Sequence, residues 1–158
     1  MNSRRTLPGS AADRAKALID LWHAKRGDRA LPSRKDFDVL ELKPWLGVIE
    51  IVEVEHGPPM RFRYRLVGTS IVDIDGMDIT GQYADEVFPD KMAGVTGEYV
   101  QAIETRGPIE TQLERPNAKG FIAPYHKLVL PLSSDGDGID MLIVLLIELE
   151  RMDAPKHP

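Results

Sequence analysis

The chain has 158 residues, of which 42% are hydrophobic and 28% charged, and it contains no cysteine. A chain of this length can bury a core without disulfides, and the lack of cysteine excludes disulfides, thiolate metal sites, iron–sulfur clusters and cysteine nucleophiles. The net charge is −5, but residues 1–35 carry nine Lys and Arg against three Asp and Glu. This basic segment can attract an acidic partner or lie against the acidic remainder of the chain, and we favour the second.

No segment is typical of membrane insertion or secretion. The longest apolar run, Met141–Ile147, is far shorter than the roughly 20 residues of a membrane-spanning helix. The first ten residues lack the apolar stretch of a signal peptide. We therefore expect a soluble, cytoplasmic protein with no membrane partner.

The first predicted element is an amphipathic helix over about residues 11–26. Ser10 followed by Asp13 resembles a capping box, and Gly27 offers a stop. Between them the apolar residues recur at helical spacing: Ala11, Ala15, Leu18, Ile19 and Trp22. A short helical piece is expected near Phe37–Leu42. We divide the chain into a basic helical segment at 1–30, one domain at 31–150 and a frayed tail at 151–158.

Two strands follow, over Val48–Val54 and Arg61–Leu66, and their composition predicts a hairpin. The second strand alternates strictly, so its apolar and its basic side chains lie on opposite faces. They are Phe62, Tyr64 and Leu66 on one face and Arg61, Arg63 and Arg65 on the other. The arginines either contact nucleic-acid phosphates or pair across the hairpin with Glu50, Glu53 or Glu55. We favour pairing and expect no nucleic-acid partner.

Short helices, one longer helix and three strands complete the predicted order. Glycines and Pro89 break the chain after the hairpin. Apolar spacing then predicts a helix over Lys91–Arg106. Three strands of an antiparallel meander are predicted over Ile109–Arg115, Phe121–Leu132 and Ile139–Glu148.

The last predicted strand carries apolar side chains on both faces, so neither face can be left in water. We expect the N-terminal helix or a second subunit to cover its outer face. A homodimer would follow from the second alternative. The predicted interface residues are Leu18, Trp22, Ile143 and Leu145.

This order describes an α+β fold, a five-stranded antiparallel sheet with short helices and one longer helix on one face, plus the N-terminal helix. Five stretches of local sequence are also characteristic: Leu31–Asp38, Pro44-Trp45-Leu46-Gly47, Phe62–Thr69, Asp78-Ile79-Thr80-Gly81 and Leu130-Pro131-Leu132. On these stretches, residues 15–150 resemble a PAS-like family that is abundant in alphaproteobacteria and was long catalogued as a domain of unknown function. The resemblance implies a bacterial sensory or interaction module, often dimeric, with a cavity between the sheet and the long helix. It implies no reaction and no particular ligand.

Three cofactors of PAS proteins can be compared with the residues. A flavin that forms a cysteine adduct and a coumarate chromophore both need a cysteine, which the chain lacks. Haem-binding PAS domains usually present an axial histidine from the long helix, which has none here, and His126 on a strand would need an unusual geometry. Haem is therefore disfavoured and no cofactor is identified. No metal site is predicted either, because the histidines have no metal-ligand spacing: His23, His56, His126 and His157.

The expected cavity is lined by the long helix and by the strand residues that face it. Its polar members are Tyr64, Tyr99 and His126, and its apolar members are Phe62, Val95, Ile103, Leu128 and Leu130. This assignment assumes that His126 shares the inner face with Leu128 and Leu130, and that Lys127 points outward. The alternative is that all of these residues simply fill a closed core.

Three functions are considered. The first is a sensory module that binds a small organic ligand and acts on a partner in trans, through its N-terminal helix or a dimer interface. The second is a ligand-free interaction or dimerisation module. The third is an acid–base enzyme using Asp73, Asp78 or His126. It ranks last because Asp75-Gly76 is a turn dipeptide and no two such groups have motif spacing. We expect no enzymatic activity.

Overall fold

The computed structural model describes residues 10–149, which form one antiparallel sheet with helices on both faces. The strands are β1 (Ile49–Glu55), β2 (Arg61–Val67), β3 (Ile109–Pro116), β4 (Ile122–Leu132) and β5 (Met141–Glu148). Their order across the sheet is β2-β1-β5-β4-β3, and all neighbouring pairs are antiparallel. The predicted sheet is confirmed, and each strand begins and ends within about two residues of its predicted bounds.

The described residues contain five helices, which accompany the sheet. They are α1 (Ala11–Arg26), α2 (Val39–Leu42), α3 (Thr69–Asp75), α4 (Ala84–Val87) and α5 (Met92–Thr105), with 3-10 segments at Arg34–Asp36 and Lys43–Val48. The predicted bounds of α1 are confirmed, because the Asp13 N–H donates to Ser10 Oγ at 3.0 Å and Gly27 ends the helix with a φ of 57°. Within residues 10–149, no helix is long and apolar enough to cross a membrane. The predicted tail at 151–158 lies outside the described residues, as does the start of the basic segment.

Helix α1 packs on the outer face of the sheet and completes the core there. Trp22 Nε1 donates to the Pro131 carbonyl oxygen on β4 at 2.9 Å. Trp45 Nε1 donates to the Arg14 carbonyl oxygen at 3.0 Å. Both rings are buried and both indole N–H groups have a hydrogen-bond partner. The Trp22 bond holds α1 against β4, and the Trp45 bond holds α1 against the 3-10 segment Lys43–Val48. The N-terminal helix or a second subunit was expected to cover the outer face of β5, and in the structure the helix covers it.

The four residues predicted as an interface lie in the core of the single chain. Leu18 and Trp22 on α1 share one buried cluster with Ile143 and Leu145 on β5, and none of the four is more than 2% exposed. Alternate residues of β5 point toward α1, which shields them from solvent. A second subunit could reach them only if α1 moved away, so their role in the structure is to stabilise the fold.

A close backbone contact joins the start of β1 to the end of β2. A Cβ atom placed on Gly68 would lie 2.4 Å from the Gly47 carbonyl oxygen, and the Gly68 N–H donates to the Ile49 carbonyl at 2.9 Å. A side chain at position 68 therefore does not fit. The contact joins Pro44–Gly47 to Phe62–Thr69, the two most specific parts of the resemblance. This contact fixes where the chain leaves the sheet to begin α3.

Replacing Gly68 with alanine is expected to destabilise the fold by about 1–3 kcal/mol, because backbone must move to admit the methyl group. Gly47→Ala is the matched control, since its Cβ would meet only the Thr69 and Ser70 hydroxyls, at 3.7 and 3.8 Å. Urea unfolding followed by circular dichroism measures both variants. Equal stability of the two variants would contradict the contact.

Candidate functional site

A cavity of about 570 Å³ lies between the inner face of the sheet and helices α3 and α5. Helix α5 packs against β3 and β4. Helix α3 has only seven residues, and its isoleucines pack with Tyr125 and Leu146 in a separate small cluster. The apolar wall of the cavity includes Val95, Val144 and Leu146. Its polar groups include Glu50, Tyr64, Asp75, Glu98, Tyr99, Arg115 and Lys127, with Lys91, Glu114 and Asn117 also in the lining.

Glu50 is a buried acid with no hydrogen-bond partner among the described residues. It alternates with Ile49 and Ile51 along β1 and therefore points to the inner face. Its side chain is 6% exposed and lines the cavity, and no described residue donates a hydrogen bond to its carboxyl group. Burial, reinforced by the nearby Asp75 carboxylate and opposed by Lys127 and Arg115, raises the pKa of Glu50 to about 8. The carboxyl group is therefore mostly protonated at neutral pH.

The buried Lys127 and the half-buried Arg115 are both ion-paired. Lys127 Nζ donates to Glu98 Oε1 and to the Val95 carbonyl oxygen on α5, each at 2.8 Å. Arg115 forms an ion pair with Asp75. Burial raises the pKa of Asp75, although the Arg115 charge opposes this. These pairs join β4 to α5 and β3 to α3 across the cavity walls.

Two tyrosines supply neutral hydroxyl groups. Tyr64 on β2 and Tyr99 on α5 are fully buried, and their hydroxyl oxygens lie 3.0 Å apart. Burial raises the pKa of both phenols, so both stay protonated over the physiological range. One hydroxyl hydrogen joins the pair, which leaves the other free to donate.

Comparison with known proteins decides the family. A family model described as PAS domain matches residues 11–146. The chain belongs to the PAS domain family. PAS domains are typically sensory or signalling modules. No curated protein matches the chain.

Solved structures agree with this PAS fold. A sensory box sensor histidine kinase from Vibrio cholerae is 14% identical over 71% of this chain and 90% of that chain, with a TM-score of 0.52. A LOV protein from Rhodobacter sphaeroides is 16% identical over 74% and 71% of the two chains, with a TM-score of 0.51. VqmA bound to DPO is 16% identical over 70% and 56%, also with a TM-score of 0.51. At these identities the likeness shows the fold alone. The lack of cysteine in this PAS domain argues against a cysteine-linked flavin.

Three of the eight predicted cavity residues line the cavity of this PAS domain: Tyr64, Val95 and Tyr99. Phe62 lies directly behind them, its ring edge-on to the Tyr99 ring at 5.2 Å between centroids. Ile103 packs against the main core.

The predicted inward position of His126, Leu128 and Leu130 is wrong. Lys127, between them, is the residue that contacts α5, so its neighbours point to the opposite face. There His126 Nε2 lies 2.5 Å from Glu110 Oε2, and both leucines are fully buried. Since β4 is apolar on both faces, alternation alone does not say which face is inner.

The sequence interpretation missed the charged groups of the cavity. Glu50 lies between two isoleucines, and Lys127 is followed by a leucine and a valine. These placements were the available signal, because a charge beside buried neighbours needs a partner or a cavity. Asp75 and Arg115 gave no comparable signal, since tertiary packing brings them together from 40 residues apart.

The three aspartates considered for catalysis do not form one site. Asp73 is exposed, and Asp78 accepts hydrogen bonds from the Thr80 N–H and hydroxyl at 3.0 and 2.6 Å. Only Asp75 reaches the cavity. Within the described part of the chain, no group of three or more His, Asp or Glu side chains could hold a metal ion.

The arginine face of β2 is engaged by the chain itself. Arg65 pairs with Glu53 across the hairpin at 3.2 Å, which confirms that expected pairing. Arg61 instead donates two hydrogen bonds, of 2.8 and 2.9 Å, to Asp85 on α4. The expected pairing with Glu50 is wrong, because that residue faces the cavity on the other side of the sheet.

Replacing Glu50 with glutamine is expected to remove a pH dependence of stability. The folded-state pKa of about 8 lies above the ordinary value of 4.5, so between these values only the folded chain keeps the proton. Wild-type stability then falls as pH rises, by up to about 1.4 kcal/mol per pH unit. Denaturation curves near pH 5 and pH 8.5 should show a relative gain for E50Q at the higher pH. Glu53→Gln, on the outer face of the same strand, should show none, and parallel E50Q and wild-type profiles would contradict the buried neutral acid.

Proposed function

We propose that this PAS domain is a sensory module that binds a small organic ligand in the inner cavity and passes the change to a partner in trans or through a dimer. It acts by binding and not by catalysis. The observation that carries the proposal is the unpartnered, buried carboxyl group of Glu50, which points into a cavity of about 570 Å³. Buried polar groups normally have partners, and cavities of roughly 300–1,000 Å³ suit small ligands.

The connections of β4 support a route out of the cavity. Lys127 on this strand bonds to α5 at the cavity wall. Four positions along, the Pro131 carbonyl oxygen accepts the Trp22 indole N–H of α1 on the opposite face. A ligand that displaces Lys127 or shifts α5 would act on the strand that holds α1. The proposed output is therefore a change in the packing of α1, which is the element expected to contact a partner.

A similar fold in a bound state gives further support. VqmA, a solved structure that resembles this chain in fold, is described as bound to DPO. Ligand binding is therefore compatible with a chain of this fold, and the cavity is where we place it in this protein.

A second candidate is a ligand-free interaction module. Two exposed apolar pairs favour it: Val39 and Leu40 on α2 are 58% and 75% exposed, and Phe121 and Ile122 before and at the start of β4 are 68% and 63% exposed. Exposed apolar residues mark a protein contact when they form a large contiguous patch. This candidate needs no cavity, so the two functions make different predictions for a cavity-filling variant.

Native and denaturing mass spectra of the chain, recorded as purified and after incubation with a deproteinised cell extract, test the proposal. We expect an adduct that survives native conditions and disappears on denaturation. Val95→Trp should fill the cavity and reduce the adduct at least about tenfold, because the indole occupies ligand space. Val100→Trp is the matched control on the same helix, where Val100 is 37% exposed and does not line the cavity.

Circular dichroism must first show that both tryptophan variants are folded. Equal adduct on both variants would place the ligand elsewhere and contradict the cavity. A wild-type chain that remains free of adduct in both preparations would contradict the sensory proposal and favour the ligand-free module.

A further inference from the structure

The charges of the cavity restrict the ligand that it can hold. This inference rests on the proposed function, because it names the class of molecule for the same cavity. The titratable and charged groups that line the cavity with Glu50 come from five elements: Tyr64 on β2, Asp75 on α3, Glu98 and Tyr99 on α5, Arg115 on β3 and Lys127 on β4. Lys91 and Glu114 also line it, and both are exposed at its rim. Two cations and two carboxylates among these groups already form ion pairs.

An anionic ligand would find no unpaired buried cation in the described part of the cavity. Lys127 and Arg115 are ion-paired with Glu98 and Asp75, which balance their charges. Among their buried donors, only the Arg115 Nε–H lacks a hydrogen-bond partner in the described residues. Lys91 at the rim is exposed, where solvent screens its charge and an ion pair contributes little. A protonated Glu50 could donate one hydrogen bond to the anion but supplies no positive charge, so burial of the anionic charge would be uncompensated.

A cationic ligand would meet the opposite difficulty. Glu50 is the one unpaired buried carboxyl group that it could bind, but Lys127 and Arg115 lie near enough to lower the pKa of that group. The same two charges would repel the bound cation. Moving an ammonium group out of water costs several kcal/mol, which one carboxylate shared with two cations does not offset.

We propose that the cavity takes an uncharged organic ligand with a hydrogen-bond donor beside an acceptor, a carboxamide or a lactam, and that Glu50 is the residue that selects it. A protonated carboxyl group offers one donor and one acceptor on adjacent oxygens, and an amide offers the complementary pair. The Tyr64–Tyr99 pair adds one free hydroxyl donor. The apolar side chains of Val95, Val144 and Leu146 would contact the hydrocarbon part of the ligand.

Three probes of one size and different charge test this class: benzamide, benzylamine and benzoate. Each is titrated into ¹⁵N-labelled protein at pH 6.5 and pH 9, and the shifts of amide signals from cavity residues give the dissociation constants. Benzamide should bind at least about fivefold more tightly than either charged probe at pH 6.5. Its binding should weaken about tenfold at pH 9, because the ionised Glu50 can no longer donate.

Variants on β1 separate the role of Glu50 from general effects of pH. Glu50→Gln keeps a donor beside an acceptor, so it should bind benzamide within about threefold of wild type and lose the pH dependence. Glu53→Gln, which lies on the outer face, should behave as wild type in both respects.

Other outcomes would overturn the proposal in distinguishable ways. If benzylamine binds best, more tightly at pH 9 and not at all to E50Q, the ligand is a cation and only the ligand class is wrong. If benzoate binds best, the class is also wrong while the cavity remains a binding site. If none of the three shifts the cavity signals at about 10 mM, well above the millimolar range of weak binding, the class is rejected, and the adduct measurement decides separately whether the cavity binds a ligand at all.

Discussion

The apolar character of β5 on both faces is the constraint on which the rest of the fold depends. This strand lies in the middle of the sheet, and its buried residues alternate between the face under α1 and the face toward α3 and α5. Each face must be shielded from water. The outer face is closed by a 16-residue helix of the same chain. The inner face is covered by shorter pieces, which leave the cavity between them.

The inner face holds charge at a cost to stability. Glu50 receives no hydrogen bond from a described residue, and burial disfavours its charged form and raises its pKa. The Lys127–Glu98 and Arg115–Asp75 pairs hold the cavity walls together, but buried ion pairs contribute little net stability compared with apolar packing. An apolar residue at position 50 would satisfy the fold better. The arrangement is understandable if a ligand supplies the partner that the fold does not, since sites built for binding are often less stable than the chain allows.

The fold could be predicted from the sequence because its signals are local or periodic. The cap at Ser10, the stop at Gly27 and the spacing of Leu18 and Trp22 set the bounds of α1 without reference to the rest of the chain. The order of strands and helices was enough to indicate a PAS-like fold. The two most specific stretches, Pro44–Gly47 and Phe62–Thr69, contain Gly47 and Gly68, whose backbones are in close contact.

The cavity could be predicted only in part. Tyr64, Val95 and Tyr99 followed from strand alternation and helix spacing. His126 and Lys127 were assigned to the wrong faces because both sides of β4 are apolar, and a shift of one residue exchanges the faces of a strand. Glu50 was grouped with Glu53 and Glu55 as an acid opposite the arginines. Its position between Ile49 and Ile51 places it on the other face of β1 from those two acids. The pairing of Asp75 with Arg115 depends on tertiary structure that no local pattern reports.

The state of the Glu50 carboxyl group is the central claim, and a ¹³C NMR titration of the chain labelled at the glutamate side-chain carboxyl carbon tests it most directly. The E50Q spectrum assigns the signal by its absence. The account predicts a single signal that titrates with a pKa of about 8, well separated from the other glutamates, and that moves when benzamide is added at pH 6.5. A Glu50 signal that titrates near the ordinary value of 4.5 would show a solvated or paired carboxylate and would contradict both the buried neutral acid and the choice of an uncharged ligand.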